Sequence, residues 1–245
     1  MLGHDGGKSG ETRDAYRAFR KWLDSQPDNR VLRKSEQAEN FFRKIGITFN
    51  VYGEEAADER LIPFDVVPRV LSGNEWRKLS KGIEQRVRAI NAFLYDIYHR
   101  QEILRAGRVP ESLIANNAAF LPKMMGFDPP GGIYTHIIGT DIVRTGPDEF
   151  YVLEDNARTP SGVSYMLENR EIMLQMFPEL FADIPIREVS DYPSWLRRSL
   201  ASCAPAACLD KPTVAVLTPG TFNSAYFEHS FLADQMGAEL IEGSD

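Results

Sequence analysis

The stretch Gly139–Gly162, GTDIVRTGPDEFYVLEDNARTPSG, decides how this chain is read. Its two halves alternate apolar and polar residues around Gly146-Pro147-Asp148-Glu149, a turn signal, so the segment predicts an antiparallel hairpin. With Thr145 set opposite Phe150, Val143 faces Val152 and Asp141 faces Glu154. Asn156 follows on the same face, because strand side chains alternate with period two. Directly opposed residues have Cβ atoms only about 4.5–5.5 Å apart, and like charges there are destabilising. Three arrangements relieve the conflict: one carboxyl is protonated, an arginine lies between the two, or a divalent cation does. Mg²⁺ takes oxygen ligands and commonly combines one or two carboxylates with substrate phosphates. Asp141, Glu154 and the amide oxygen of Asn156 are therefore a candidate half-site for a metal.

The residues that follow suit a phosphate. Arg158 lies two positions beyond Asn156, where a planar guanidinium reaches a phosphate oxygen. Thr159-Pro160-Ser161-Gly162 then leads into a helix from about Val163 to Phe177, whose free N-terminal amides favour an anion. Ser161 and Gly162 are the candidate contacts. The alternative is that Arg158 bridges the two carboxylates and Ser161 only caps the helix.

Outward from the hairpin, LSGNEWRKLSKGIEQRVRAINAFLYDIYHRQEIL predicts the clearest helix. Ser72 and Glu75 form a capping-box pattern, and Leu79, Ile83, Val87, Ile90, Leu94 and Ile97 recur as a core-facing stripe. Arg86 and Arg88 are read as its solvated face. Two charged helices are expected between Thr12 and Ile45, split at SQPDN and with too few apolar positions to pack on more than one side. Ile47–Gly53 alternates like a short strand. The last 35 residues or so change character: TVAVLTPG, SAYFEHSFLADQMG and AELIEG read as strand, helix and strand. Such a β-α-β unit needs a parallel neighbour. One unit closes no core, so the chain is expected to be part of a longer protein.

The composition narrows the class. A net charge of −7 and a pI near 5.3 argue against a sequence-blind grip on nucleic acid or anionic lipid. No apolar run approaches the roughly 18 residues of a membrane span, and no signal-peptide core opens the chain, so a cytoplasmic protein is expected. Cys203 and Cys208 read as reduced thiols, and the four histidines make no zinc motif. Gly-Lys-Ser near the N-terminus is no phosphate loop, because Leu2 stands where the motif needs glycine. No histidine or serine forms a triad, so a hydrolase mechanism lacks its nucleophile pair.

Asp141, the Glu154-x-Asn156 step, Arg158 and the Pro/Ser/Gly turn together resemble the metal-binding segment of ATP-grasp ligases. VLEDNARTPSGVSYMLENR, with PFDVVPRVLSGNEW upstream and LTPGTFNSAYFEHSFLADQMGAELIEG downstream, resembles more narrowly the circularly permuted ATP-grasp family, related in fold to glutathionylspermidine synthase. The resemblance covers roughly Phe41 to Asp245. It implies an α+β (mixed α/β) chain: a helical, partly flexible segment over 1–35, an ATP-grasp-like subdomain over 36–190, a linker over 191–210 and the start of a Rossmann-like substrate domain over 211–245. It also implies ATP and Mg²⁺ as cofactors, with Asp141, Glu154 and Asn156 holding the metal and Arg158 steadying the transferred phosphoryl group. A small-molecule or peptide carboxylate and an amine would be the substrates, joined as an amide through an acylphosphate. Arg69, Asn169, Arg170, Asn223 and Ser224 are secondary candidates near the site or acceptor pocket. The competing classes are a Mg²⁺-dependent phosphotransferase and a non-catalytic module that keeps the fold.

Overall fold

The longest helix, α3 (Gly73–Tyr98), organises the hairpin. Its 26 residues span about 39 Å. The expected capping box is present: the Glu75 N–H donates to Ser72 Oγ (3.2 Å) and the Ser72 N–H to Glu75 Oε2 (2.7 Å). Glu75 does more than cap. The same carboxylate receives Arg144 Nη1 (2.7 Å) from the hairpin and an ion pair from Arg13 near the N-terminus. Burial pushes Glu75 up, but the Ser72 N–H, Arg144, the Ser72 side chain and Arg13 outweigh it and hold the carboxyl at about 2.

That depression fixes a sign for pH dependence. Glu75 is charged in the folded chain where the unfolded chain, with its ordinary value near 4.5, has bound a proton. Its contribution is therefore full above pH 4.5 and is lost as pH falls through the folded value. Urea unfolding measured across this window should show a shallower acid loss of stability in Glu75→Gln than in the parent.

The computed structural model describes residues 12–45, 48–49, 60–61, 64–182 and 184–245. The Gly-Lys-Ser segment and most of the strand expected at 47–53 lie outside them. The architecture is mixed α/β. Helices α1 (Arg17–Asp24) and α2 (Arg30–Ile45) precede a two-residue antiparallel pair, β1 (Thr48–Phe49) with β2 (Arg60–Leu61). After α3 come short α4 (Glu102–Arg105) and α5 (Ser112–Ala115), then the hairpin β3 (Gly139–Gly146) and β4 (Glu149–Asn156). Helices α6 (Val163–Met176), α7 (Pro178–Ala182) and α8 (Tyr192–Ala201) lead to β5 (Ala215–Leu217), α9 (Tyr226–Met236) and β6 (Glu239–Ile241). Strands β5 and β6 pair in parallel, as the β-α-β pattern requires.

The core sits where the sequence pattern understated it. Phe19 of α1 packs with Val66, Met173, Phe177 and Leu180, and Ala38 and Phe42 of α2 pack with Ile172. The few apolar residues of the charged N-terminal helices fall on the faces that meet α6 and α7. Conversely, the α3 stripe is mostly half-buried; only Ile97 and Tyr98 are fully buried. Leu79 and Ile83 instead line a cleft of about 500 Å³ together with Ile142, Phe150 and Val152 of the hairpin. Amphipathic spacing showed which face was apolar, but not how closely it would be covered.

The connection from α3 to β3 is strapped to the end of the helix. Tyr98 stacks on Phe120 and Tyr134, with ring centroids 5.2 and 6.0 Å away. Asn91 donates to Gly132 O and accepts the Tyr134 N–H, both at 2.9 Å. The hairpin then runs along α3, held by Arg86 to Asp155 (2.6 Å), Arg144 to Glu75 and Lys78 Nζ to Asp148 O (2.9 Å). Arg86, expected in solvent, is thus an anchor for β4.

Candidate functional site

Asp141 and Glu154 are cross-strand partners, as the sequence reading has them, but by a different route. Gly146 pairs with Glu149, so the turn is Pro147-Asp148 alone. Thr145 is an extra residue on β3 and Leu153 an extra residue on β4. The two irregularities cancel: Val143 faces Tyr151 rather than Val152, yet Asp141 still meets Glu154.

This double bulge has a purpose visible in the faces. A simple register puts Phe150 and Val152 on the same face as Glu154. In the structure Phe150 pairs with Arg144 and Val152 with Ile142, on the α3 side, and the bulge at Leu153 turns the strand so that Glu154 still faces outward. One face thereby turns Ile142, Phe150 and Val152 to the helix and is anchored there through Arg144 and Asp155. The other presents Asp141, Glu154 and Asn156 beside the exposed side chains of Val143, Tyr151 and Leu153.

Asp155, on the anchored face, is neutralised by Arg86 and receives a hydrogen bond from Thr140 Oγ1 (2.9 Å). Asp141 and Glu154 have no such relief. Among the described residues no arginine, lysine or histidine pairs with either. The arginine bridge considered from the sequence is absent there, and two like charges face each other uncompensated.

Asn156 is committed to the loop beyond it. Its Oδ1 accepts the N–H groups of Arg158 (3.3 Å) and Thr159 (3.0 Å), and its Nδ2 donates to Thr159 O (2.9 Å). Thr135 Oγ1 donates to Ala157 O, and Pro160 lies over Gly139 so closely that a Cβ there would meet the proline Cβ at 2.9 Å. Glycine is the residue that permits this approach. The loop is preorganised, while the Arg158 guanidinium is exposed and makes no ion pair among the described residues.

The N-terminus of α6 differs from the expected open anion site. Gly162, with φ of 102°, donates its N–H to both Glu228 oxygens (2.8 Å each), and Ser164 donates its N–H (2.9 Å) and hydroxyl (2.6 Å) to Glu228 Oε2. The protein's own carboxylate takes these amides, so the cap comes from α9 and Ser161 makes no cap bond. Glu228 had no sequence signal, because its partners are 64–66 residues away.

The secondary candidates separate. Asn223 Oδ1 accepts the Ala225 N–H (2.9 Å), a turn role, and Arg170 Nη1 donates to Arg187 O (3.0 Å). Arg69 is exposed, Ser224 is half-buried, and Asn169 Oδ1 is buried without a hydrogen-bond partner among the described residues.

A sequence profile of the circularly permuted ATP-grasp type 2 family matches residues 68–245. The chain belongs to that family. An uncharacterized protein of Synechocystis sp. is 47% identical over 224 residues, which cover 91% of this chain and 46% of the relative. An uncharacterized protein of Mycobacterium tuberculosis is 45% identical over 236 residues, covering 96% of this chain and 42% of its own length. A Frankia casuarinae protein with the provisional name glutamate–cysteine ligase 2-2 is 39% identical over 241 residues, 96% of this chain and 27% of that protein. The permuted ATP-grasp chain thus spans less than half the length of these curated relatives. No helix among its described residues is long and apolar enough to cross a membrane.

Proposed function

We propose that this chain carries the metal- and phosphate-binding part of an ATP- and Mg²⁺-dependent carboxylate–amine ligase. The observation that carries the reading is the opposed pair Asp141 and Glu154, exposed and without a cationic partner among the described residues. Membership of the permuted ATP-grasp family supports ATP as co-substrate, and two Frankia relatives provisionally named as glutamate–cysteine ligases support ligation as the reaction class.

The donor set fits Mg²⁺, which prefers hard oxygen ligands. No group of three or more His, Cys, Asp or Glu suited to a metal occurs among the described residues, so an ion held here would take its remaining ligands from substrate phosphates and water. Bound there, the ion supplies neutralisation of the triphosphate charge. Asp141 and Glu154 would hold it, and Asn156, whose Oδ1 makes its longer bond to the Arg158 N–H, would be the third oxygen donor. Arg158 would bring its exposed guanidinium to a phosphoryl oxygen, with the Ser161 hydroxyl as a further donor. Gly162 contributes the left-handed turn that aims this loop.

In the reaction, an oxygen of the substrate carboxylate attacks the γ-phosphorus and the bond to ADP breaks. The amine nitrogen then attacks the acyl carbon, phosphate leaves, and the ammonium proton passes to solvent. The chain's part in this is positioning and charge stabilisation.

Hydroxylamine trapping tests the proposal in the full-length protein. Incubation with Mg²⁺, ATP and a panel of carboxylic acids should yield a hydroxamate with stoichiometric ADP for the acid that is the substrate. ADP formed without hydroxamate for every acid, or transfer of phosphate to a hydroxyl acceptor, would replace the ligase with a phosphatase or phosphotransferase.

A further inference from the structure

Glu228, the cap of α6, is none of the proposed metal or phosphate contacts, yet it holds the loop on which the phosphate contacts sit. It lies in the first turn of α9, inside the β-α-β unit, and is only 5% exposed. A buried carboxylate is costly unless fully paired. Here its charge is met by the Gly162 N–H, the Ser164 N–H and the Ser164 hydroxyl, and by no arginine, lysine or histidine among the described residues. Both partners are themselves constrained: Ser164 is fully buried, and Gly162 has the left-handed φ that few other residues adopt. Among the described residues neither the Glu228 carboxylate nor the Gly162 and Ser164 donors have another hydrogen-bond partner.

The consequence is geometric. From one end, the Asn156 side chain, Thr135 and the Pro160–Gly139 approach fix the loop to the hairpin. From the other, Glu228 fixes Gly162 to α9. Arg158 and Ser161 lie between these clamps. Burial, and after it the Glu228 charge, pushes the Tyr165 and Tyr192 hydroxyls up.

We propose that Glu228 is a positioning residue: it ties the β-α-β unit to the loop 157–162 and so holds Arg158 and Ser161 in the phosphate-binding arrangement. The inference rests on the ligase reading for its functional half and on geometry alone for its structural half.

Two measurements on the full-length protein separate these halves. In hydrogen–deuterium exchange, Glu228→Ala should raise exchange across 157–166 while 139–156 stays protected, and Glu228→Gln, which keeps an acceptor, should restore most of the protection. In calorimetry, Glu228→Ala should weaken MgATP binding on the order of 10–100-fold, with Glu228→Gln closer to the parent. Leu196→Ala, a buried change on α8, serves as a destabilised control and should leave affinity unchanged. Unchanged exchange in Glu228→Ala overturns the positioning role. Raised exchange with unchanged affinity, or equal weakening by Leu196→Ala, overturns its functional half. Raised exchange in Glu228→Ala, when the parent protein itself binds no MgATP, leaves the clamp standing and removes the ligase reading instead.

Discussion

Glu154→Ala should weaken Mg²⁺-dependent ATP binding by the full-length protein on the order of 100-fold or more while slightly stabilising its fold. The two effects have opposite signs because the residue stands in an electrostatic conflict that a bound cation relieves. Without metal, Glu154 opposes Asp141 across the hairpin with no compensating charge among the described residues, so removing it relieves about 0.2–1 kcal/mol of repulsion. With metal, the same change removes one of two anionic ligands and should weaken binding on the order of 100-fold or more, since loss of even an outer partner typically costs 10–100-fold. Asp141→Asn should behave alike. Thermal melting without Mg²⁺ and calorimetry with MgATP read the two arms. A pair that merely decorated the surface would show neither effect, and a structural pair would lose stability on substitution.

The largest loss of stability is expected at Phe177, just beyond α6. Its side chain is fully buried, and Trp22 meets its ring edge-on with centroids 5.1 Å apart. It packs in the cluster that joins α1, the Val66 segment, α6 and α7. Phe177→Ala removes a ring at the meeting point of four segments that cannot all collapse inward. The cost should be about 3–5 kcal/mol, lowering the melting temperature by about 10 °C. A drop of only a degree or two would mean that the N-terminal helices are not part of the cooperative core. Because α1 and α2 look too polar to build a core, this substitution tests the packing that composition alone does not foresee.

How far the molecule was legible differs by element. The capping box at Ser72 and Glu75 was readable because it is local, and so was the β-α-β order of the last elements. The hairpin was readable as a hairpin. Its bulges were not, since nothing in the alternation of Phe150-Tyr151-Val152-Leu153 says which residue goes unpaired; α3 decides it by demanding Phe150 and Val152 on its side. Asp141 and Glu154 survived that error because two opposite slips cancel. Glu75 as a hub for Arg13 and Arg144, and Glu228 as the cap of α6, depend on partners more than 60 residues away. Period and spacing carry no information at that range. The expectation of free amides before α6 failed for the same reason: an anion is there, and it comes from the chain itself.

The proposed site requires Asp141 and Glu154 to hold a divalent cation. Fe²⁺ substitutes at oxygen-ligand sites, and with ascorbate and oxygen it cuts the backbone beside the place where it is bound. Mass spectrometry of the full-length protein treated in this way should find cleavage within Gly139–Asn156, suppressed by excess Mg²⁺ and lost in Asp141→Asn/Glu154→Gln. Cleavage confined to another segment, or undiminished in the double variant, would contradict the account and place the metal elsewhere.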